Sequence, residues 1–319
     1  MDMPEALREA IDQAALAFPN AKLKTAVRSM TQRYTLESGK GARYVTEPAE
    51  VAAYAAVRMP ATFSAVSAAL EHTFRLFSGG ITSLLDIGTG TGACPWAVRE
   101  VLGEGLSITC IERETAMAEY ARSLMKADET LSHAGWIERD IASSPITEKA
   151  DLVTASYCLN ELAPAPRERV LKALWQAADK LFLLIEPGTM EGYAQISRAR
   201  EILTGLGGHI VAPCPGNGSC PLPSDDWCHF TARTARSRLH KALKDSAVPY
   251  EDEKYSFLAV SKEPCMSARA RVLRHPVREP GRITLRLCTQ QGIVDRTVTR
   301  KDTAFREARK ASSGDVFEG

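Results

Sequence analysis

Three cysteines stand close together in the stretch APCPGNGSCPLPSDDWCHF, at Cys214, Cys220 and Cys228. Proline, glycine and acidic residues surround them, so we predict an irregular loop over 212–230 rather than a helix or a strand. Thiolates are soft ligands that bind zinc and iron. In a chain whose thiols stay reduced, such a group indicates a metal site and not a set of disulfide bonds.

A closed site with four thiolates needs one more cysteine, and Cys265 and Cys288 are the candidates further along the chain. The first three cysteines lack the C-x2-C pair that is typical of zinc ribbons. Widely spaced cysteines in irregular loops suit an iron–sulfur cluster at least as well. The spacing alone therefore leaves both the metal and the fourth ligand open.

A second feature is the glycine-rich sequence LLDIGTGTG (84–92), where an apolar strand ends at Asp86 and a helix follows. Glycines there allow a tight turn and let a ligand approach the backbone, while the helix N-terminus supplies N–H donors. From residue 81 onwards, strand-like and helix-like segments alternate, which predicts a parallel sheet with helices on both faces. The spacing differs from the G-x-G-x-x-G of dinucleotide-binding proteins.

The glycine sequence resembles the D/E-x-G-x-G-x-G motif of class I S-adenosylmethionine-dependent methyltransferases. This resemblance implies a Rossmann-like α/β fold with S-adenosylmethionine as the cofactor. It also implies that acids at the ends of the next two strands bind the ribose and the adenine, and that residues after the fourth strand border the methyl donor. The cofactor-binding residues expected on this basis are Asp86, Gly88, Gly90, Gly92, Glu112, Asp140 and Asn160.

The sequence identifies no catalytic group. The fourth strand ends in SYCLNEL, which lacks the D/N-P-P-Y/F motif by which methyltransferases of nucleobase amino groups hold their substrate. Cys158 lies near the position of the nucleophile in cytosine-C5 enzymes, but Tyr157 replaces the proline that precedes the nucleophile there. We therefore interpret Cys158 as a core cysteine. Transfer from a sulfonium is a direct displacement, so positioning the two reactants would be the main task of such a protein.

Basic residues concentrate in the last third of the chain. Residues 265–310 hold ten Arg and two Lys against two Asp and two Glu, whereas the whole chain has a net charge of only +1. This separation of charge indicates an RNA-binding face. The sequence after the third cysteine of the loop is predicted to form one helix that adds five basic residues to this face: Arg233, Arg236, Arg238, Lys241 and Lys244.

The pattern along the chain predicts three parts. Helical spacing over residues 4–77, interrupted at Pro60, predicts a helical N-terminal cap over 1–80. The alternating segments predict a methyltransferase domain over 81–262, which includes the cysteine loop. Short strand-like runs rich in arginine predict a small basic β-rich extension over 263–319.

Taken together, these features resemble the mitochondrial small-ribosomal-subunit methyltransferase-like assembly factors and their bacterial relatives. The resemblance rests on YAAVRMPATFSAV, LLDIGTGTGA, IEPGT, PCPGNGSCPL…WCHF and GRITLRLCTQQG. It implies that the protein binds small-subunit rRNA during ribosome assembly. It also implies that four cysteines hold a [4Fe–4S] cluster and that Cys265 lies outside this ligand set: Cys214, Cys220, Cys228 and Cys288. Zinc is the alternative metal, because four thiolates also form a closed tetrahedral site.

Two main hypotheses of function follow. The favoured one is a methyltransferase that acts on small-subunit rRNA, and the alternative is a non-catalytic rRNA-binding assembly factor that keeps the methyltransferase fold. A small-molecule methyltransferase with a structural zinc is disfavoured, because it leaves the basic tail unexplained. The acidic start of the chain resembles neither a secretory signal nor a transit peptide, and no apolar run reaches the ~18–20 residues of a membrane span. We therefore expect a monomeric cytoplasmic protein that does not bind membranes.

Overall fold

The computed structural model describes residues 2–37, 45 and 47–319. None of the described helices is both long and apolar enough to cross a membrane. Pro60 stands in the first turn of a helix, where the missing N–H of proline costs no hydrogen bond. The predicted interruption at Pro60 is therefore observed, with Arg58 between two helices. The first four helices are α1 (Glu5–Ala15), α2 (Asn20–Glu37), α3 (Pro48–Val57) and α4 (Met59–Phe74).

The centre of the molecule is a mixed sheet of eight strands. Its main path runs in the order β3-β2-β1-β4-β5-β8-β6, and β7 pairs with β8 beside this path. The first five strands are parallel to one another, whereas β8 is antiparallel to β5, β6 and β7. The strands are β1 (Ser83–Ile87), β2 (Ser107–Glu112), β3 (Gly135–Glu138), β4 (Ala150–Ser156), β5 (Ala178–Pro187), β6 (His209–Ala212), β7 (Phe230–Ala235) and β8 (Tyr250–Ser261).

Helices cover both faces of this sheet, as the alternating sequence pattern predicts. Neighbouring strand residues point to opposite faces. Leu84 packs in the apolar layer that contains α1 to α4, whereas Leu85 packs in the layer on the other face. Both faces are apolar, which explains why the central strands read as continuous hydrophobic runs. The helices along the sheet are α5 (Ala93–Leu102), α6 (Thr115–Met125), α7 (Glu129–Ser132), α8 (Pro164–Ala177) and α9 (Met190–Gly205).

The region after β7 corrects one prediction. The five basic residues do not lie on one helix, because Arg233 belongs to β7 and Arg236 follows it. The helix α10 (Arg238–Leu243) begins only after Ser237, whose side chain accepts a hydrogen bond from the His240 N–H and caps its first turn. Residues 230–235 alternate between buried and exposed positions and pair with β8, so the strand is stabilised by its partner in the sheet.

The end of the chain forms a second, smaller sheet. It contains β9 (Ala270–Val272), β10 (Val277–Glu279), β11 (Arg282–Thr289) and β12 (Gly292–Thr299), all antiparallel, and is followed by α11 (Phe305–Lys310). Leu285, Leu287 and Phe317 belong to an apolar core of its own. The short strand-like runs of the sequence therefore correspond to real strands, which carry Cys288 on β11.

Candidate donor pocket and cysteine cavity

The glycine loop between β1 and α5 contains three glycines in left-handed conformations. The φ angles are +66° at Gly88, +55° at Gly90 and +94° at Gly92, values that residues with a side chain rarely adopt. At Gly88 a Cβ atom would also lie 2.7 Å from the Cβ of Cys158. Gly92 is the N-cap of α5. The three glycines are thus required by the backbone conformation itself.

The carboxylate of Glu112, at the end of β2, holds this loop in place. Its Oε2 accepts a hydrogen bond from the N–H of Gly90 at 2.7 Å. Its Oε1 accepts from the N–H groups of Arg113 and Glu114 at 2.8 and 2.9 Å. Burial raises the pKa of Glu112, and these three N–H donors oppose the rise. Because each oxygen accepts about two hydrogen bonds, Oε2 alone keeps room for another donor.

A cavity of about 110 Å³ lies beside the glycine loop, and we call it the donor pocket. Four of the seven residues predicted to bind the cofactor border it: Gly88, Gly90, Glu112 and Asp140. The other three do not border it: Asp86, Gly92 and Asn160. Asp140 lies two residues beyond the end of β3 rather than at its last position, and its carboxylate accepts a hydrogen bond from the Ala142 N–H at 2.8 Å.

Asp86 and Asn160 are buried behind the pocket. One carboxylate oxygen of Asp86 accepts a hydrogen bond from the Thr154 hydroxyl at 2.6 Å, and the other has no partner. Burial raises the pKa of Asp86 to about 6. The backbone N–H of Asn160 donates to Glu186 at 3.2 Å, and its side-chain oxygen is buried without a partner. These contacts connect β1, β4 and β5 beneath the loop.

Several residues of the donor pocket were not predicted as site residues. Arg113, Arg139, Tyr157, Cys158 and Glu161 all border it. Tyr157 is a non-glycine residue with φ of 59°, a conformation that concentrates at functional sites. Burial raises the pKa of Glu161 to about 7. For Tyr157, Cys158 and Glu161 the signal was present in SYCLNEL (156–162), which directly follows a buried strand.

The cysteine cavity is a separate space of about 330 Å³, bordered by residues from the loop, α9, β8, β9 and β11. Four of its lining residues are cysteines, and they are those of the expected ligand set: Cys214, Cys220, Cys228 and Cys288. Cys265 does not border this cavity, and its sulfur lies 4.0 Å from the carbonyl oxygen of Ile210. The tertiary structure therefore brings Cys288 to the three loop cysteines and keeps Cys265 away from them.

Contacts between the loop and the C-terminal sheet place Cys288 there. The Gln290 side chain donates a hydrogen bond to the carbonyl of Pro215 at 3.0 Å. Arg274 forms an ion pair with Asp226 and donates to the carbonyl of Trp227 at 3.2 Å. The C-terminal segment is thus fastened to the cysteine loop by side chains other than the cysteines.

The four thiols are buried or half-buried, and Arg200 and Arg271 border the same cavity. Burial raises the pKa of Cys214 and of Cys228, and it raises the pKa of Cys288 to about 12. The hydroxyl of Tyr193 lies 3.2 Å from the sulfur of Cys220. Across the described ranges 2–37, 45 and 47–319, no group of three or more His, Cys, Asp or Glu side chains is placed so that it could hold a metal ion.

The basic residues predicted to bind RNA are partly paired within the protein. Arg233 forms two hydrogen bonds with Asp252, at 2.7 and 2.8 Å. Arg236 and Lys244 both contact Glu251, at 3.0 and 3.4 Å. The remaining two lie on α10, and Arg238 is exposed there while Lys241 is half-buried. The acids of β8 therefore neutralise much of the run that looked purely basic in the sequence.

The strand order, the single antiparallel insertion of β8 and the glycine loop held by an acid of β2 define a Rossmann-like methyltransferase fold. The chain belongs to the family of the mitochondrial small ribosomal subunit protein Rsm22, whose sequence profile matches residues 48–318. The resemblance stated from the sequence motifs is thereby confirmed.

Curated relatives share about a quarter of their residues with this chain. The human mitochondrial ribosome assembly protein METTL17 is 26% identical over 287 residues, which cover 83% of this chain and 61% of METTL17. The Rsm22-cox11 tandem protein 2 of Schizosaccharomyces pombe is 23% identical over 233 residues, covering 55% of this chain and 31% of that protein. The chain thus spans less than two thirds of the length of either relative.

Solved structures with a similar fold are more distant. Magnesium protoporphyrin IX methyltransferase from Synechocystis with bound S-adenosylmethionine is 18% identical, with a TM-score of 0.40, covering 76% of this chain and 97% of that one. The plantazolicin methyltransferase BpumL is 12% identical, with a TM-score of 0.41, covering 81% of this chain and 99% of that one.

The comparison corrects the expectation of a cytoplasmic protein. The matched family and the human and fission yeast relatives are all mitochondrial by name. The expectation rested on the acidic composition of residues 1–10, which does not determine the compartment of a protein.

Proposed function

We propose that this chain binds small-subunit rRNA during assembly of the mitochondrial ribosome. In this proposal it holds S-adenosylmethionine in the donor pocket and a [4Fe–4S] cluster in the cysteine cavity. The family match carries the proposal, because residues 48–318 include the glycine loop and all four cysteines. The human relative is named a ribosome assembly protein, and we extend that role to this chain.

The donor pocket supports S-adenosylmethionine through its shape and its charge. The glycine loop carries no side chain at Gly88 or Gly90, so a ligand can approach the backbone. Oε2 of Glu112 can accept one hydroxyl hydrogen bond in addition to the Gly90 N–H. The carboxyls of Glu112, Asp140 and Glu161 border the pocket, and negative charge favours a sulfonium cation.

The cysteine cavity supports a [4Fe–4S] cluster through the chemistry of its donors. Four thiols from two distant segments face one cavity, and four cysteine thiolates are the usual ligands of a cubane cluster. A cluster with several iron atoms spreads its ligands around a larger body than a single ion does. When bound, the cluster would supply a link between the loop and β11, with Cys214, Cys220, Cys228 and Cys288 as its ligands. Zinc remains the alternative occupant.

We rank rRNA binding above methyl transfer, because the donor pocket is bordered by residues of SYCLNEL and not by the D/N-P-P-Y/F motif that holds a nucleobase amino group. Oε1 of Glu112 already accepts two backbone hydrogen bonds, so this residue cannot hold both ribose hydroxyls without releasing the chain. Methyl transfer to rRNA is the second candidate. The glycines of the loop have left-handed backbone conformations and no side chains, so a methyl donor can approach the backbone there.

For the RNA-binding face we propose the unpaired basic residues rather than the whole predicted run. Arg238 and Lys241 on α10 remain candidates, whereas Arg233, Arg236 and Lys244 contact acids of β8. The exposed basic residues near α11 join them: Arg300, Lys301, Arg306, Arg309 and Lys310. Phosphate contacts release counterions, so binding carried by these residues should weaken steeply with salt.

Cross-linking in cells tests the proposed role. Cells lacking the endogenous protein would express the tagged wild type or the Gly90→Val variant. We expect cross-links to small-subunit rRNA and sedimentation with small-subunit particles for both proteins, because RNA binding is assigned to a different surface. The rRNA methylation pattern, measured by mass spectrometry, separates the two candidates. A modified nucleotide that disappears only with Gly90→Val would establish methyl transfer, and absence of any rRNA cross-link would refute the whole proposal.

The RNA face is tested separately with purified protein. Charge reversal at Arg238 and Lys241, and at Arg300 and Arg306, should weaken binding to a small-subunit rRNA fragment and lower the salt slope by about one for each phosphate that the variant no longer binds. Arg8→Glu, on the exposed side of α1, is the control and should leave the slope unchanged. If both reversed proteins keep the slope of the wild type, RNA binds elsewhere on this chain.

A further inference from the structure

Two arginines are buried at the cysteine cavity. Arg271 of β9 is 1% exposed and Arg200 of α9 is 7% exposed, and both border the cavity. Arginine is almost never buried to this degree unless it is paired, because removing its charge from water is costly. A guanidinium is effectively always protonated in proteins, so both side chains carry a positive charge.

The hydrogen bonds of Arg271 leave part of its charge without a partner. Its Nε and Nη1 donate to the carbonyls of Pro213 and Gly314, both at 2.8 Å. Its Nη2 is buried and makes no hydrogen bond. Carbonyl groups satisfy donors, but they do not neutralise a positive charge.

Arg200 is in the same situation on the other side of the cavity. Its Nη2 donates to carbonyl groups of the cysteine loop, at Gly216 and Gly218, and its Nε is buried without a partner. Among the residues that the structure describes, no Asp or Glu borders the cavity. Asp315, a carboxylate that acts on Arg271 from outside the cavity lining, forms an ion pair with Arg75. The lining of the cavity therefore contains two positive charges and no carboxylate.

The four cysteines line the same cavity as the two arginines, and they become negative when they bind a metal. Arg271 stands opposite Cys288 in the pairing of β9 with β11. Four thiolates carry four negative charges, and an iron–sulfur core in its ordinary oxidation states offsets only part of them. A loaded site would therefore be an anion between two fixed cations.

We propose that Arg271 and Arg200 are the counter-ions of the anionic centre held by the four cysteines, and that they raise its reduction potential. This inference rests on the proposed [4Fe–4S] cluster. Reduction adds one electron to the centre, so nearby positive charge stabilises the reduced form, and net charge is one of the factors that set cluster potentials. Removing either charge therefore lowers the midpoint potential.

The test separates the effect of the side chain's charge from the effect of its shape at each of the two arginine positions. Arg271→Gln and Arg200→Gln remove the charge and keep an N–H donor, whereas Arg271→Lys and Arg200→Lys keep the charge. Arg269→Gln, two residues away and exposed, is the control. Each protein is reconstituted anaerobically with iron and sulfide. Iron per chain is measured, and the midpoint potential is obtained by titration followed by the electron paramagnetic resonance of the reduced cluster.

We expect both glutamine variants to have lower midpoint potentials than the wild type and the double glutamine variant to show the largest shift. The lysine variants and Arg269→Gln should stay close to the wild type. Circular dichroism shows whether each variant folds. If one glutamine variant does not fold, the variant at the other position still tests the inference. Glutamine variants with the wild-type potential, or lysine and glutamine variants that shift equally, would overturn the inference while leaving the cluster in place. A wild type that takes up no iron would overturn the cluster assignment and this inference with it.

Discussion

The donor pocket and the cysteine cavity carry opposite charge. The donor pocket is acidic on balance, because four acids and two arginines border it: Glu112, Glu114, Asp140, Glu161, Arg113 and Arg139. At the cysteine cavity the buried charges are instead the guanidinium groups of Arg200 and Arg271. A buried charge is stable only with a partner, so each site favours a ligand of the opposite sign. The difference suits a sulfonium cation in one site and a metal–thiolate anion in the other.

The two sites also differ in how the chain assembles them. The glycine loop and Glu112 lie on adjacent strands, and they are joined by one short hydrogen bond. Cys214 and Cys288 instead come from the loop and from β11 of the smaller sheet. Because the sites share no lining residue, a change in one should leave the ligand of the other in place.

The largest effect is expected for the fourth cysteine. Cys288→Ser should lose essentially all iron, since a cubane cluster needs four thiolates, whereas Cys265→Ser should keep it. The measurement is iron and sulfide per chain in protein purified without oxygen, which is brown when a cluster is present. Calorimetry with S-adenosylmethionine should give the wild-type affinity for both variants. Loss of iron from Cys265→Ser beside retention in Cys288→Ser would show that the wrong fourth ligand was chosen.

The same variant tests how the tail is held. Arg274 and Gln290 bond the C-terminal segment to the cysteine loop without the metal. We therefore expect loss of the cluster to expose residues 212–230 to limited proteolysis while the C-terminal fragment stays bound to the core. Release of that fragment on size-exclusion chromatography would mean that the cluster alone fastens the two parts.

The next largest effect is expected in the glycine loop. Gly90→Val should abolish detectable binding of S-adenosylmethionine, because a β-branched residue is strained at a φ of +55° and its side chain would occupy the ligand's approach. Gly80→Ala is the matched control, since a Cβ there meets nothing within 4 Å. Iron content should be normal in both proteins. Undiminished binding by Gly90→Val would remove the glycine loop from the donor site.

A smaller effect is expected for Glu112→Gln. The amide cannot accept at both ends, so one set of backbone N–H groups would lose its acceptor. We expect donor binding to weaken by about 1–3 kcal/mol, which calorimetry can measure. Glu104→Gln, at an exposed position, is the control. A variant that binds as tightly as the wild type would show that Glu112 does not act through the loop.

The smallest effect concerns the pH dependence of stability. Burial raises the pKa of Glu186 to about 8, so the folded protein holds this proton more tightly than the unfolded chain, where Glu titrates near ~4.3. Its contribution to stability is complete below ~4.3 and is lost as the pH rises through about 8. Glu186→Gln should remove this part of the decline and flatten the curve of stability against pH. Urea unfolding between pH 5 and pH 8 measures it, and parallel curves for variant and wild type would contradict the assignment.

Local sequence patterns were sufficient to predict the sheet and its glycine loop. Buried parallel strands read as apolar runs, so the alternation of strands and helices that begins with β1, α5 and β2 was visible in the sequence. Left-handed turns need glycine, so Gly88, Gly90 and Gly92 were recognisable as a loop. The pairing of β8 between β5 and β6 was not predicted, because antiparallel insertion depends on long-range contacts that no local period reports.

The amino-acid sequence by itself identified the groups that could bind ligands. These are a glycine loop with acids at strand ends and a group of thiols in a loop without secondary structure. Only the tertiary structure decided which of them meet. It buries Asp86 behind the pocket, pairs Arg233 with Asp252, and brings Arg271 and Cys288 to the same cavity. The physical reason is that the partners of a buried charge or thiol lie on strands and loops distant in sequence. The packing of the whole chain determines which of these segments come together.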